Sequence, residues 1–438
     1  SVREAVAAGM RRAVAAGARR PVLALRPLRP PATAAAAAFA PADAWRRSEL
    51  VALLAALEAL YVPLEVRESF PERLPRLRAL GVWDCGVGAA LPALLRDAVA
   101  LERGRALARD IGGADPERMA PPRLARHVRD AFAAGAVRVS VLEGPELRAR
   151  YPLLAAVARA ADPVPRHRSC VIFLDYEPES YEETVMLVGK GVTYDTGGAD
   201  VKTGGAMAGM SRDKCGAAAV AGFVKACELV RARVRVRAAL GVVRNSVGAE
   251  GYVADELLRS RGGLPVRVGN TDAEGRLVMA DLLHEMRELA EAAAPAPAHL
   301  YTVATLTGHA VRAAGEGYGV ALDGHAARAR RHAEKLRAAG DALAEPLEVS
   351  RLRREDLAAH RGRAPGDALL QAAPAPSVRL PRGHQGPAAF LLLAAGLLDA
   401  DVPYTHLDVA GSAGSFPAPP TAAPLLVLAA AHGLITSC

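Results

Sequence analysis

Val185-Met-Leu-Val-Gly-Lys190-Gly-Val-Thr-Tyr-Asp195-Thr-Gly-Gly-Ala-Asp200-Val-Lys202 opens as an apolar run of strand length and closes as a glycine-rich turn that carries two acids and a second lysine. The change of character marks the end of a buried strand. Downstream, Ala206 to Val230 reads as a helix and Val234 to Val243 as a strand. Val171 to Tyr176, Val266 to Gly269 and Leu300 to Leu306 are further strand-like runs, and Gly275 to Ala293 and Ala326 to Leu343 further helix-like ones. This alternation predicts an α/β fold with a mostly parallel sheet sandwiched by helices. Ligands of open α/β sheets bind beyond the carboxyl ends of the strands, and Lys190, Asp195, Asp272 and Glu274 fall at or just past such ends.

Upstream the pattern is less regular. Residues 1–105 are expected to form a smaller N-terminal α/β domain with a linker helix, and residues 106–438 the larger domain. The first twenty residues are rich in arginine and carry one acid, Glu4, before the strand-like Arg20-Pro-Val-Leu-Ala-Leu25. A helix followed by a strand is the favoured reading, and an organellar transit peptide, which favours serine, is the competing one. The low-complexity stretch 30–44 reads as a loop. Leu50, Leu53, Leu54, Leu57 and Leu60 follow helical spacing, and a second helix from about Leu91 to Ile111 ends at Gly112-Gly113 and bridges the domains.

Apolar residues make up 51% of the chain and aromatics only 4%, so aliphatic side chains and alanine must fill a sizeable core. The net charge of +8 is spread among carboxylates without a long block of one sign, so a nucleic-acid partner is not expected. The five cysteines form no C-x-x-C pair and are read as free thiols of a reducing, cytoplasmic setting. The longest apolar runs, such as Ala388 to Leu398, are too short to span a bilayer.

Four of the five lysines (Lys190, Lys202, Lys214, Lys225) fall between residues 190 and 225, while the rest of the chain relies on arginine. Lysine can do two things that arginine cannot: lose its proton to bind a metal, or press a compact ammonium on an oxyanion. A second dense patch, Gly269-Asn-Thr-Asp272-Ala-Glu274-Gly-Arg276-Leu, sets two carboxylates and an arginine at a strand-to-helix junction. Taken alone it reads as a solvated acidic loop. Taken with the first patch, Asp195, Asp213, Asp272, Glu274 and the amine of Lys190 make a donor set for two divalent metals about 3.5–4 Å apart. Oxygen donors with one nitrogen and no thiolate suit Zn²⁺, Mn²⁺ or Mg²⁺.

The stretch from Lys190 to Asp213 together with the unbroken octapeptide Asn270-Thr-Asp-Ala-Glu-Gly-Arg-Leu277 resembles the leucyl aminopeptidases of the cytosolic M17 type, and the resemblance extends over about residues 100 to 415. It includes Ala108-Arg-Asp-Ile-Gly, Ala304-Thr-Leu-Thr307-Gly and His406-Leu-Asp408-Val-Ala-Gly411. The resemblance implies a leucyl-type metalloaminopeptidase that hydrolyses the N-terminal residue from peptides by way of two divalent metals and a metal-bound hydroxide. It makes Lys190, Asp195, Asp213, Asp272 and Glu274 the metal ligands, with Asp195 and Glu274 shared and Lys190 bound as a neutral amine. Lys202 becomes the charged group that stabilises the gem-diolate. Arg276 becomes the holder of a bicarbonate that relays a proton. The substrate amine is placed on one metal and against Asp213, near the Leu306 carbonyl, with Met210, Asn270, Ala273 and Thr305 lining the side-chain pocket. A homohexamer is implied on the same ground.

Departures from the family pattern mark a divergent branch. Tyr194-Asp195-Thr-Gly-Gly198 replaces Phe-Asp-Ser-Gly-Gly, and Lys214-Cys215 follows Asp213, which sets a further positive charge beside the cluster. The C-terminal Pro420-Thr-Ala-Ala-Pro-Leu-Leu-Val lacks the family's glycine-rich turn. The rival reading is a catalytically weak or inactive hexameric assembly protein of the same fold. Gly189-Lys190 does not complete a phosphate loop, because Thr184 and Gly191 stand where that motif needs glycine and a hydroxyl. Gly315-Glu-Gly317-Tyr-Gly319 reads as a turn, His309 as packed or exposed, and Lys225 and Lys335 as surface charges on helices.

Overall fold

The computed structural model describes residues 1–26, 47–292 and 297–436. The stretch read as a low-complexity loop, 30–44, lies outside the described residues. Thirteen strands are described: β1 (Val22–Leu25), β2 (Gly81–Asp84), β3 (Arg138–Glu143), β4 (Cys170–Tyr176), β5 (Thr184–Asp195), β6 (Arg235–Asn245), β7 (Leu257–Arg259), β8 (Pro265–Arg267), β9 (Ala298–Ala304), β10 (Gly319–Asp323), β11 (Leu347–Ser350), β12 (Leu369–Leu370) and β13 (Tyr404–Asp408).

Eight of them form one sheet in the order β11-β10-β13-β9-β5-β6-β4-β3. The pairings β10–β11, β13–β9, β5–β9 and β5–β6 are parallel, and β10–β13, β4–β6 and β3–β4 are antiparallel. The expected mostly parallel α/β sheet is therefore present, with antiparallel strands toward its two sides. Its central strands are apolar on both faces: Val185, Leu187 and Val188 in β5, and Val236, Leu240 and Val243 in β6, are buried beneath helices.

Because β5, β6, β9 and β13 run in one direction, their carboxyl ends share one edge. That edge gathers Lys190 to Asp195, Asn245, Thr305 to Thr307 and Asp408.

Helices cover both faces. The helix Leu91–Gly113 crosses Cys215–Val230 at glycines: a Cβ on Gly104 would lie 2.4 Å from the Gly222 carbonyl oxygen, and one on Gly222 2.5 Å from that of Gly104. Only hydrogen at both positions permits that backbone approach. Leu25, Leu50, Leu53 and Leu101 of the N-terminal region share a buried cluster with Ala217, Val220 and Phe223.

Three expected elements differ. Val266 pairs in a separate sheet of order β12-β8-β7, because alternation of apolar residues does not say which sheet a strand joins. The helix expected from Ala206 begins only at Cys215, because Gly204, Gly205 and Gly209 hold φ of 63°, 83° and 87° and make turns there. The helix expected over Ala326 to Leu343 is broken into His325–Ala329 and His332–Leu343 by Arg331 at φ 53°. Lys225 is half-buried rather than a free surface charge. Its ammonium donates to the Ala131 carbonyl at 3.0 Å and pairs with Glu228 at 2.6 Å.

Candidate active site

Strand β5 delivers Lys190 and Asp195, the turn after Gly209 delivers Asp213, and the helix Glu274–Ala292 begins with Glu274 just after Asp272. Residues more than eighty positions apart thereby meet. Lys190 Nζ lies 2.7 Å from Asp213 Oδ1 and 2.8 Å from Glu274 Oε1, and it donates to the Thr305 carbonyl at 3.2 Å. Lys202 Nζ lies 3.0 Å from Asp195 Oδ2 and touches the Asp272 carboxylate. The Thr305 hydroxyl donates to Asp213 Oδ1 at 2.9 Å. Oxygens of Asp195, Asp213 and Glu274 lie within 4.8 Å of one another.

Gly275 makes room for this meeting. A Cβ there would come within 2.6 Å of Lys190 Cε and 2.7 Å of Leu306 Cδ1. Clearance for the lysine is therefore what demands a glycine at this helix start.

The electrostatics are those of four acids in close company, three of them (Asp195, Asp213 and Glu274) buried. Lys190, Asp195 and Glu274 are 2%, 3% and 1% exposed, which leaves bulk water little role in screening them. Burial opposes the charge on Lys190 and Lys202, but neighbouring carboxylates outweigh it and hold both ammonium groups above their ordinary pKa. Burial, with the charges of Asp195 and Glu274, raises Asp272 to about 7. Burial also raises Asp213, against the pull of Lys190. Arg276 is lowered to about 10 by burial.

The cluster opens into a cavity of about 680 Å³. Met210, Asn270, Ala273, Thr305 and Leu306 all line it together with Lys190, Asp195, Lys202, Asp213, Asp272, Glu274 and Arg276. Arg276 donates from Nη1 to the Gln371 carbonyl at 3.0 Å, while its Nε has no partner.

With this geometry in hand, comparison with known proteins is decisive. The sequence model described as cytosol aminopeptidase family, catalytic domain, matches residues 106–427. The chain belongs to the cytosol aminopeptidase family. Members are metal-dependent aminopeptidases. A putative aminopeptidase of Caenorhabditis elegans is 40% identical over 399 residues, which span 89% of this chain and 76% of the relative. A probable cytosol aminopeptidase of Shewanella oneidensis is 38% identical over 221 residues, 50% of this chain and 42% of the relative, so the matched part spans less than half of that protein. Among solved structures, the bottromycin maturation enzyme BotP in complex with Mn superposes with a TM-score of 0.80 at 25% identity, covering 98% of this chain and 86% of that one.

The donor set fits the divalent metals on which a cytosol aminopeptidase depends. Asp213 Oδ2 and Glu274 Oε2 are buried without any hydrogen-bond partner, an uncommon state for carboxylate oxygens, which accept only. Such oxygens, beside two amines and further acids, are what a cation requires.

Lys214 does not add charge to this aminopeptidase cluster, contrary to the expectation from sequence. Its ammonium is fully buried outside the cavity lining, donating to the Ala114 carbonyl at 2.9 Å and to that of Ser211. Burial lowers it to about 8. His309 bonds His384 at 2.7 Å and does not line the cavity.

Sequence reasoning missed Asn245, Thr271, Asp200 and Gln371. Gln371 Oε1 accepts from the Gly269 and Asn270 amides at 3.0 and 3.1 Å, and its Nε2 donates to the Asn270 and Ala273 carbonyls at 2.8 Å each. It thereby shapes the loop that carries Asp272. Among the described residues, no helix is long and apolar enough to cross a membrane.

Proposed function

We propose that this chain is an exopeptidase that releases the N-terminal residue from peptides at two divalent cations, Zn²⁺ or Mn²⁺, held by Lys190, Asp195, Asp213, Asp272 and Glu274. The observation that carries this reading is the meeting of Asp195, Asp213 and Glu274 oxygens within 4.8 Å, two of those carboxylates retaining an unpartnered oxygen. Bound cations polarise the scissile carbonyl and lower the pKa of the attacking water.

The chain's own groups divide the remaining work. Lys202, an ammonium held charged by its acidic neighbours, stabilises negative charge as it develops on the carbonyl oxygen. Once cations take up the carboxylate charge, Lys190 serves as a neutral nitrogen donor, a role closed to arginine. Asp213 anchors the substrate's free α-amine, which restricts cleavage to the first residue. Arg276, with an unpartnered Nε at the cavity wall, suits a small anion such as bicarbonate that relays a proton. Met210, Asn270, Ala273, Thr305 and Leu306 contact the substrate and favour an apolar leucyl-type side chain.

The reading extends to a catalytic domain of residues 106–438 with an N-terminal domain of 1–105, and to a homohexamer working in the cytoplasm, both on the strength of family membership.

The test is hydrolysis of a panel of aminoacyl amides by the purified chain with Mn²⁺. Turnover that disappears in Lys202→Ala supports the reading. Silence on every amide, with wild type and variant alike, contradicts it.

A further inference from the structure

Asn245 ends β6 and is wholly buried beside the acidic cluster. Its Nδ2 donates to Asp195 Oδ1 at 2.8 Å and to the Thr271 carbonyl at 3.1 Å, which uses both amide hydrogens. Reversing the carboxamide would set its oxygen against two acceptors, so the donor assignment is forced by the network. The Gly197 amide adds a second bond to Asp195 Oδ1 at 2.9 Å. Asp195 therefore has one oxygen spent on the scaffold, and Oδ2 alone faces Lys202 at 3.0 Å.

The opposite end of the same carboxamide is informative. Asn245 Oδ1 is buried and accepts nothing, an uncompensated cost that a purely packing role does not explain. The anchor for Asn245 is itself braced. The Thr271 carbonyl also accepts from Tyr252 at 2.8 Å, the Thr271 amide donates to Asp200 Oδ2 at 2.7 Å, and its hydroxyl donates to the Gly197 carbonyl at 2.6 Å. The segments 195–202 and 270–276 are thus joined through Asn245 and Thr271.

We propose that Asn245 is a positioning residue: it fixes which oxygen of Asp195 is offered to cations and so sets the affinity of the centre for divalent metal. This rests on the metal-dependent reading above. Partners that orient a metal ligand in this way change affinity by about 10- to 100-fold when removed.

The experiment titrates Mn²⁺ into the full chain by calorimetry for wild type, Asn245→Ala and the near-isosteric Asn245→Leu. The electron paramagnetic resonance spectrum of each and its thermal midpoint in EDTA are recorded alongside. Mn²⁺ binding weakened about 10- to 100-fold, with loss of the coupled-pair spectrum and EDTA midpoints close to wild type, is the expected result. Wild-type affinity and spectrum in either folded variant overturn the proposal and leave the aminopeptidase reading intact. Failure of both variants to fold in EDTA, where Asp195→Ala does fold, also overturns it, because Asn245 is then structural. A wild-type chain that binds no Mn²⁺ removes the underlying reading itself.

Discussion

The central strands carry a buried polar cluster at each end, and the two differ in one respect. At the starting ends of β5, β9 and β13, His432 Nδ1 meets Glu183 Oε1 at 2.8 Å, the Tyr301 hydroxyl meets His432 Nε2 at 2.9 Å and also His332, His299 Nε2 meets Thr405 Oγ1 at 2.9 Å, and Thr405 donates to Asp323 Oδ1 at 2.7 Å. No buried side-chain nitrogen or oxygen of these residues lacks a partner. Burial, together with the neighbouring His432 and Lys335, lowers His332 to about 4, so it stays neutral at physiological pH. At the carboxyl ends, by contrast, Asp213 Oδ2 and Glu274 Oε2 have no donor, and charge is concentrated rather than avoided. A closed network in which every group is partnered serves packing; an open network of charges is kept for something that arrives from solution.

The sharpest break of this contrast is truncation at the open end. Asp195→Ala or Glu274→Ala is expected to lower kcat/KM by roughly a thousandfold, ~4 kcal/mol of transition-state stabilisation, in an aminoacyl-amide assay. A loss below about tenfold would place the chemistry elsewhere. Lys202→Ala is expected to cost about 10²- to 10³-fold in kcat with little change in KM, since its charge acts on the transition state.

A smaller effect is the pH dependence of metal binding. Asp272 is raised to about 7 from 3.8, so the folded protein holds a proton there that a cation must displace. A raised carboxyl pKa makes the metal-free fold lose stability as pH climbs from the unfolded value toward the folded one. Metal affinity moves the opposite way: displacing the Asp272 proton adds up to about tenfold per pH unit below pH 7, on top of the proton that Lys190 releases as it becomes a neutral donor. Calorimetry in buffers of different ionisation enthalpy reads the released proton. Affinity independent of pH between 5 and 7 would contradict the coupling.

Tyr301→Phe at the closed end should act least on catalysis. It strands His332 and His432, so unfolding should ease by about 1–3 kcal/mol while kcat stays within about twofold. A variant that keeps its stability but loses turnover would erase the distinction between the two ends.

Much of the open cluster was legible in the sequence, because scarce lysine and dense acids stand at strand ends, where α/β folds place ligands. The closed cluster was not legible: its histidines, tyrosine and acids are scattered from Glu183 to His432, and only the strand order brings them together. Asn245 was hidden for the same reason, since an asparagine at the end of a strand acquires meaning only when a parallel neighbour delivers Asp195 beside it. Lys214 misled because adjacency in sequence was read as adjacency in space. Successive residues entering a helix diverge by about 100°, enough to turn its ammonium away from Asp213. The helix was read straight on from Ala206, yet the positive φ values of Gly204, Gly205 and Gly209 postpone it to Cys215.

Anomalous diffraction from crystals grown with Mn²⁺ tests the central claim most directly. Two peaks enclosed by Lys190, Asp195, Asp213, Asp272 and Glu274 are the expected result. A single peak, none, or manganese bound at another part of the chain would contradict a dimetal centre at the carboxyl ends of these strands.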